Sequence, residues 1–299
     1  MNPINRKIVP FLWYDQEAGE AAKLYLHAFP DSSLRSVTTL TETPSGTVKI
    51  YAADLWDSEF HLMSAGPEFK FTPAISFLVA CSSAAEVDSI WQKLSPEGSV
   101  LMELGSYPFS ERFGWLQDKY GVSWQMMLFP GDQPIRQRMI PFLMFTGQQF
   151  GRAEEAIRFY ASIFPNSGVE EIQYYEKGEE PNQPGTVKFA EFTLHGQSFA
   201  AIDSSYEHGF TFNEAISFVV NCETQEEIDY YWEKLSADPE AEMCGWLKDR
   251  FGVSWQIVPT IMYEMQQTND PTRLTRLTRA FLQMKKFDIA ALERAYEGS

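Results

Sequence analysis

The sequence predicts an α+β protein built from four βαβββ units in two pairs, followed by a helical tail. Three observations predict it: the chain repeats itself once at about half its length, each copy holds two strand-helix-strands passages, and the segment after Pro259 has helical periodicity. Gly114-Trp115-Leu116, Asp118 and Gly121-Val122-Ser123-Trp124-Gln125 return as Gly245-Trp246-Leu247, Asp249 and Gly252-Val253-Ser254-Trp255-Gln256. Val9-Pro10-Phe11-Leu12 returns as Ile140-Pro141-Phe142-Leu143, and Ala74-Ile75-Ser76-Phe77 as Ala215-Ile216-Ser217-Phe218. A repeat of that length marks a duplicated domain and not a short-period solenoid.

Within the first copy, Ile8 to Tyr14 reads as a buried strand. Ala18, Ala21, Ala22, Tyr25, Ala28 and Phe29 then recur at helical spacing until Pro30 stops the helix. Ser33 to Leu40, Val48 to Leu55 and Glu59 to Ser64 read as three strands, the last two joined by a turn at Asp57-Ser58. The second unit runs from a strand over Ala74 to Cys81 into a helix carrying Val87, Ile90, Trp91 and Leu94, with Ser82 or Ser83 as N-cap. Strands near Val100 to Glu103, Phe113 to Gln117 and Val122 to Phe129 complete it. The second copy repeats the plan, with helices marked by Ile157, Tyr160, Ala161 and Phe164 and by Ile228, Tyr231, Trp232 and Leu235, and a hairpin turn over His195 to Ser198. Pro130-Gly131-Asp132-Gln133-Pro134 is the linker, since two prolines and a glycine break strand pairing. The expected divisions are 1–130, 135–260 and a tail over 261–299. In that tail Leu274, Leu277, Phe281 and Met284 form a stripe that needs burial, so it is read as a clamp over the sheets.

The 299 residues are 44% hydrophobic and 15% aromatic, enough for two sizeable cores. No apolar run approaches the ~20 residues that span a bilayer, and Met1 to Arg6 begins no signal peptide, so the expected location is the cytoplasm. Cys81, Cys222 and Cys244 form no CxxC pair, and buried free thiols are expected in place of disulfides or zinc. A formal charge of -17 repels phosphate backbones and anionic lipid, which argues against nucleic-acid and membrane partners.

Phe69-Lys70-Phe71-Thr72 through Phe77, Cys244 through Gln256, and Leu282 to Lys286 followed by Ile289 to Leu292 resemble the PhnB-like branch of the vicinal oxygen chelate superfamily. That superfamily includes glyoxalase I, extradiol dioxygenases and bleomycin-resistance proteins, and the branch often carries a demethylubiquinone methyltransferase label. The resemblance implies paired βαβββ units curled into two incomplete barrels. Members of the branch resemble half of this chain and pair as homodimers, so it looks like a fused dimer that acts as a monomer. No glycine-rich strand-to-helix turn of the kind that holds S-adenosylmethionine is found, and no cofactor is expected.

In the metal-using relatives, ligands sit on the first and fourth strands of one unit and on the corresponding strands of its partner. The resemblance places those positions on Phe11 and Phe142, on Ala74 and Ala215, on Gln125 and Gln256, and near Met63-Ser64 and Ala201-Ile202-Asp203. Phenylalanine and alanine donate no electron pair and a lone amide is a weak ligand, so no metal is expected. Of the four histidines only His61 lies in a strand, where it reads as a barrel-rim residue. Asp203 reads as a cap for the Ser204-Ser205 turn and Glu191 as solvated. Strand alternation places Phe11 and Trp13 inside with Ser76 and Gln125, and Phe142 and Met144 inside with Ser217 and Gln256. By family register, Gln125 should pair with Ser76 and Gln256 with Ser217. These eight residues are the candidate site, an apolar chamber with one amide and one hydroxyl per half, and the sequence leaves open whether it is hollow or filled. The expected function is metal-independent binding of a small apolar or aromatic molecule. A metal-dependent glyoxalase- or dioxygenase-type enzyme with displaced ligands such as His61 or Asp203, and a structural module with filled barrels, are the alternatives.

Overall fold

Two mixed sheets, each taking strands from both repeats, organise the chain. A computed structural model describes residues 6–129, 131, 134–268 and 270–298. Met1 to Asn5 and the linker residues Pro130, Asp132 and Gln133 lie outside the described residues. The first unit contains β1 (Ile8–Tyr14), α1 (Ala18–Ala28), β2 (Ser33–Thr43), β3 (Gly46–Leu55) and β4 (Ser58–Ser64). The second contains β5 (Ile75–Cys81), α2 (Ala84–Leu94), β6 (Ser99–Tyr107), β7 (Ser110–Gln117) and β8 (Ser123–Leu128). The third contains β9 (Met139–Phe145), α3 (Ala153–Ile163), β10 (Gly168–Tyr174), β11 (Val187–Leu194) and β12 (Gln197–Asp203). The fourth contains β13 (Ile216–Cys222), α4 (Gln225–Leu235), β14 (Trp246–Lys248) and β15 (Ser254–Pro259). The tail holds α5 (Ile261–Gln266), α6 (Pro271–Phe281) and α7 (Ile289–Glu297). None of these helices is long and apolar enough to cross a membrane.

The first sheet runs β14-β15-β13-β1-β4-β3-β2 and the second β10-β11-β12-β9-β5-β8-β7-β6. The seams are antiparallel pairings of β1 with β13, Phe11 opposite Ser217, and of β5 with β9, Ser76 opposite Phe142. Each sheet therefore joins the first unit of one repeat to the second unit of the other. On the inner faces, Phe60 meets Phe77 at 4.8 Å and Phe199 meets Phe218 at 5.6 Å, so the main core lies between the sheets and under the helices.

The repeated signature folds into a buried hub. Asp118 is 3% exposed and accepts hydrogen bonds from Tyr25 of α1 at 2.8 Å, from the Trp124 indole at 2.9 Å and from the amides of Tyr120 and Val122. Asp249 repeats this with Tyr160, Trp255, Phe251 and Val253. Gly121 and Gly252 follow at φ 93° and 87°, a turn conformation that side chains with a Cβ resist. The signature thus ties the β7-β8 and β14-β15 turns to α1 and α3.

The fourth unit departs from the expected plan. Where Ser95 to Phe113 forms most of the β6-β7 hairpin, the shorter Ser236 to Cys244 forms a 3-10 turn over Pro239–Ala241, and β14 has only three residues. The tail fills that edge. The amides of Cys244 and Gly245 donate to the carbonyls of Met284 and Lys285 at 2.8 and 2.7 Å. Leu277 and Phe281 are buried and Leu274 and Met284 half-buried, so the stripe is covered: α6 packs on α7 and on β2 of the first sheet, beside α5.

Candidate functional site

The outer face of the first sheet curls around a half-open cavity of about 140 Å³, partly covered by α5, α6 and the following loop. Phe11, His61, Met63, Trp246 and Gln256 come from the sheet, and Met262, Tyr263, Phe281 and Phe287 from the tail. The cavity forms because β3 and β4 carry small or slender residues there, Ala52 beneath and Met63 beside, while the rings of Phe11 and Trp246 meet edge to face at 5.8 Å. Gln256 Nε2 donates to Ser217 Oγ at 2.9 Å, and its counterpart Gln125 donates to Ser76 Oγ at 2.7 Å, as the register anticipates.

The eight candidate residues are divided differently from the sequence grouping. Phe11, Trp13, Ser217 and Gln256 belong to the first sheet, and Ser76, Gln125, Phe142 and Met144 to the second, because the seams pair opposite repeats. Trp13 does not line the cavity: its indole donates to the Gly66 carbonyl at 2.8 Å and its ring packs on Phe69 and Trp246. The second sheet presents an apolar outer face of Leu78, Phe113, Ile140, Phe142 and Ala200, flanked by partly exposed Met102, Trp115, Met127 and Phe189. No tail helix is among its main packing partners.

Three residues differ from their expected surroundings. Asp203 does not cap the Ser204-Ser205 turn; it accepts from the amides of Gly151, Ala153 and Val187, pinning the start of α3 to β11. Glu191 is half-buried in place of solvated, because the register puts it on the outer face beside Ala200 and opposite Glu171. Burial and then the neighbouring Glu171 and Glu170 charges raise its carboxyl above the ordinary range. His61 is also deeper than a rim position. It is 4% exposed on the cavity floor, with Nε2 at 2.8 Å from Glu59 Oε1 and its ring edge-on to Phe11 and Tyr263.

Sequence reasoning missed the partners of His61. Glu59 is 3% exposed, and its other oxygen accepts from Arg35 Nη1 at 2.9 Å, while Arg35 also grips Asp54. The signal was present: Glu59 and His61 stand two apart in one strand, and a period of two puts them on one face. Tyr263 donates its hydroxyl to Asn221 Oδ1 at 2.9 Å, and burial followed by the Glu59 charge raises its phenol, which keeps it a donor. Cys244 lines the cavity with its thiol pushed up to about 11 by burial, and Cys81 and Cys222 are fully buried with thiols at about 12.

The metal-ligand positions of the resemblance hold Phe11, Met63-Ser64, Ala215 and Gln256 around the first sheet and Phe142, Ala201-Ile202-Asp203, Ala74 and Gln125 around the second, where the Asp203 carboxylate is already taken by backbone amides. That donor set does not fit a divalent ion, and among the described residues no group of three or more His, Cys, Asp or Glu could hold one. His61 and Asp203 lie in different sheets and do not converge.

Paired βαβββ units in this arrangement make two fused halves of the glyoxalase fold. The chain belongs to the family described as 3-demethylubiquinone-9 3-methyltransferase, whose model matches residues 6–127 and 137–258. A PhnB protein from Bacillus cereus, described by the same methyltransferase name, is 39% identical, with a TM-score of 0.39, and covers 42% of this chain and 100% of its own. Glyoxalase I from Zea mays is 12% identical and covers 87% of this chain and 94% of its own with a TM-score of 0.55, a likeness of fold. No curated protein matches the chain.

Proposed function

We propose that the chain binds a small apolar or aromatic molecule, without a metal, in the cavity between the first sheet and the C-terminal helices. The observation that carries the reading is the cavity itself: about 140 Å³, walled mainly by aromatic and aliphatic side chains, with His61, Gln256 and Tyr263 among its polar groups and Ser36, Thr38, Gln266 and Gln267 also in its lining. An apolar cavity of about 150 Å³ accommodates a benzene-sized ring, so the occupant is one ring or its aliphatic equivalent. The sequence also holds no glycine-rich strand-to-helix turn of the kind that binds S-adenosylmethionine. The reading therefore departs from the name that the family carries. With each sheet already built from both repeats, the chain works as a monomer, and the open face of the second sheet is not assigned the same role.

A thermal-shift screen of single-ring aromatics against wild type and a cavity-filling Ala52→Leu variant tests this. Ligand at a hundred times its Kd should stabilise wild type by about 2.7 kcal/mol and leave the filled variant unmoved. Equal shifts in both proteins would place the site elsewhere.

A further inference from the structure

We infer that His61, oriented by Glu59, is a proton acceptor facing the cavity, and that the molecule bound there carries an acidic hydroxyl, a phenol or a ring enol. The inference rests on the proposed binding role of the cavity and names the chemistry of its occupant.

A carboxylate can only accept, so Glu59 at 2.8 Å assigns the imidazole proton to Nε2 and leaves a lone pair on Nδ1. Glu59 is itself fixed by Arg35 at 2.9 Å, and Arg35 by Asp54, so the carboxylate cannot turn away. Of the polar groups beside the ring, Tyr263 donates to Asn221, and Asn221 Nδ2 donates to the Arg6 carbonyl at 2.8 Å. His61 Nδ1 makes no hydrogen bond among the described residues and is not among their buried unpartnered atoms, although the residue is only 4% exposed. The space that reaches it is the cavity that the ring lines.

The duplicate lacks this pair. Phe11 stands beside His61 where Phe142 stands beside Ala200, and two residues earlier Glu59 corresponds to Ser198. A buried carboxylate-imidazole pair is costly to desolvate and weak as a source of stability. It occurs only in the sheet whose outer face is closed over by the tail. A hydroxyl lying against the apolar wall of Phe11, Met63 and Trp246 gives its proton to Nδ1; the resulting imidazolium is stabilised through Nε2 by Glu59, and the ring oxygen keeps the negative charge. The titratable and charged groups around His61 are Glu59 on its own strand, Arg35 and Asp54 behind it, Tyr263 from α5 and Cys244 across the cavity.

The probes are 4-nitrophenol, whose ionised form absorbs visible light, and 4-nitrotoluene, which has no hydroxyl. At a pH where free 4-nitrophenol is neutral, wild type should develop the phenolate band on binding and hold it at least tenfold tighter than 4-nitrotoluene. His61→Phe should lose both the band and the preference, with His61→Gln as a smaller change if the first variant misfolds. Glu59→Gln, a change in a positioning residue, should move the onset of the band to higher pH. If 4-nitrotoluene binds but no band appears in wild type, or if the preference survives in the His61 variants, the inference is wrong and the binding role stands. If neither probe binds, the binding role falls and the inference with it.

Discussion

Replacing Asp118 by Asn probes the repeated signature at one atom. The carboxylate takes four hydrogen bonds, from Tyr25, Trp124 and the amides of Tyr120 and Val122, and Tyr14 meets the Tyr25 hydroxyl at 2.9 Å. Burial pushes this carboxyl up, while the indole, phenol and amides pull it down. All four neighbours are donors, so a neutral acid would point its own proton at another proton, and the ionised form is the one that fits. A carboxamide of the same shape keeps one oxygen and turns an NH₂ toward the other two donors. Two orphaned buried donors at about 1–3 kcal/mol each give a loss of about 2–6 kcal/mol. That is a large share of the ~5–15 kcal/mol that holds a domain folded. Urea unfolding followed by tryptophan fluorescence should show a lower midpoint at unchanged slope. Tyr25→Phe in the same background should couple to Asp118→Asn by about 1 kcal/mol. A midpoint that does not move would mean that the acid is held neutral and that the hub contributes nothing through its charge.

The remaining predictions concern the tail, the amide pair and the thiols. Deleting the residues after Pro259 removes Met262, Leu277, Phe281 and Phe287 and bares the face of the first sheet beneath them, where Phe11, Leu40 and Val258 are buried, and should give an aggregating protein; a soluble, equally stable truncation would show that the tail is no clamp. Gln256→Leu should cost about 1–3 kcal/mol by orphaning the Ser217 hydroxyl, and Ser217→Ala in the same chain should restore most of it; failure of the second change to compensate, read by urea titration, would break the pairing. In native protein at pH 8 a thiol reagent should modify Cys244 slowly and leave Cys81 and Cys222 untouched. Below a pKa of about 11 the thiolate fraction of Cys244 rises tenfold per pH unit, and its labelling rate should follow; equal labelling of all three would contradict the burial.

Much of the architecture follows from local pattern. Ser83 caps α2 through the Glu86 amide, and His195 and Gly196 turn the β11-β12 hairpin at positive φ, as their types in those positions suggest. The Gln-Ser pairs follow from alternation and register together. Alternation fixes which residues share a face but not which strand lies beside which, so Trp13 and Gln125, assigned to one chamber, stand in separate sheets. The same limit hid the depth of His61 and Glu191, each on an outer face whose cover depends on distant segments. Asp203 went unread because its three amide donors come from residues 151, 153 and 187, far apart in the chain. The absent hairpin of the fourth unit was visible in the short span from Ser236 to Cys244, which the repeat's regularity masked.

The central claim is that the cavity of the first sheet binds a small ring without a metal. Isothermal titration of toluene into chelator-treated protein tests it most directly. The account predicts saturable binding of one molecule per chain, with a negative heat-capacity change from apolar burial and no change on adding zinc, manganese or nickel. Saturable binding only after a divalent ion is restored, or no saturable binding under either condition, would contradict it.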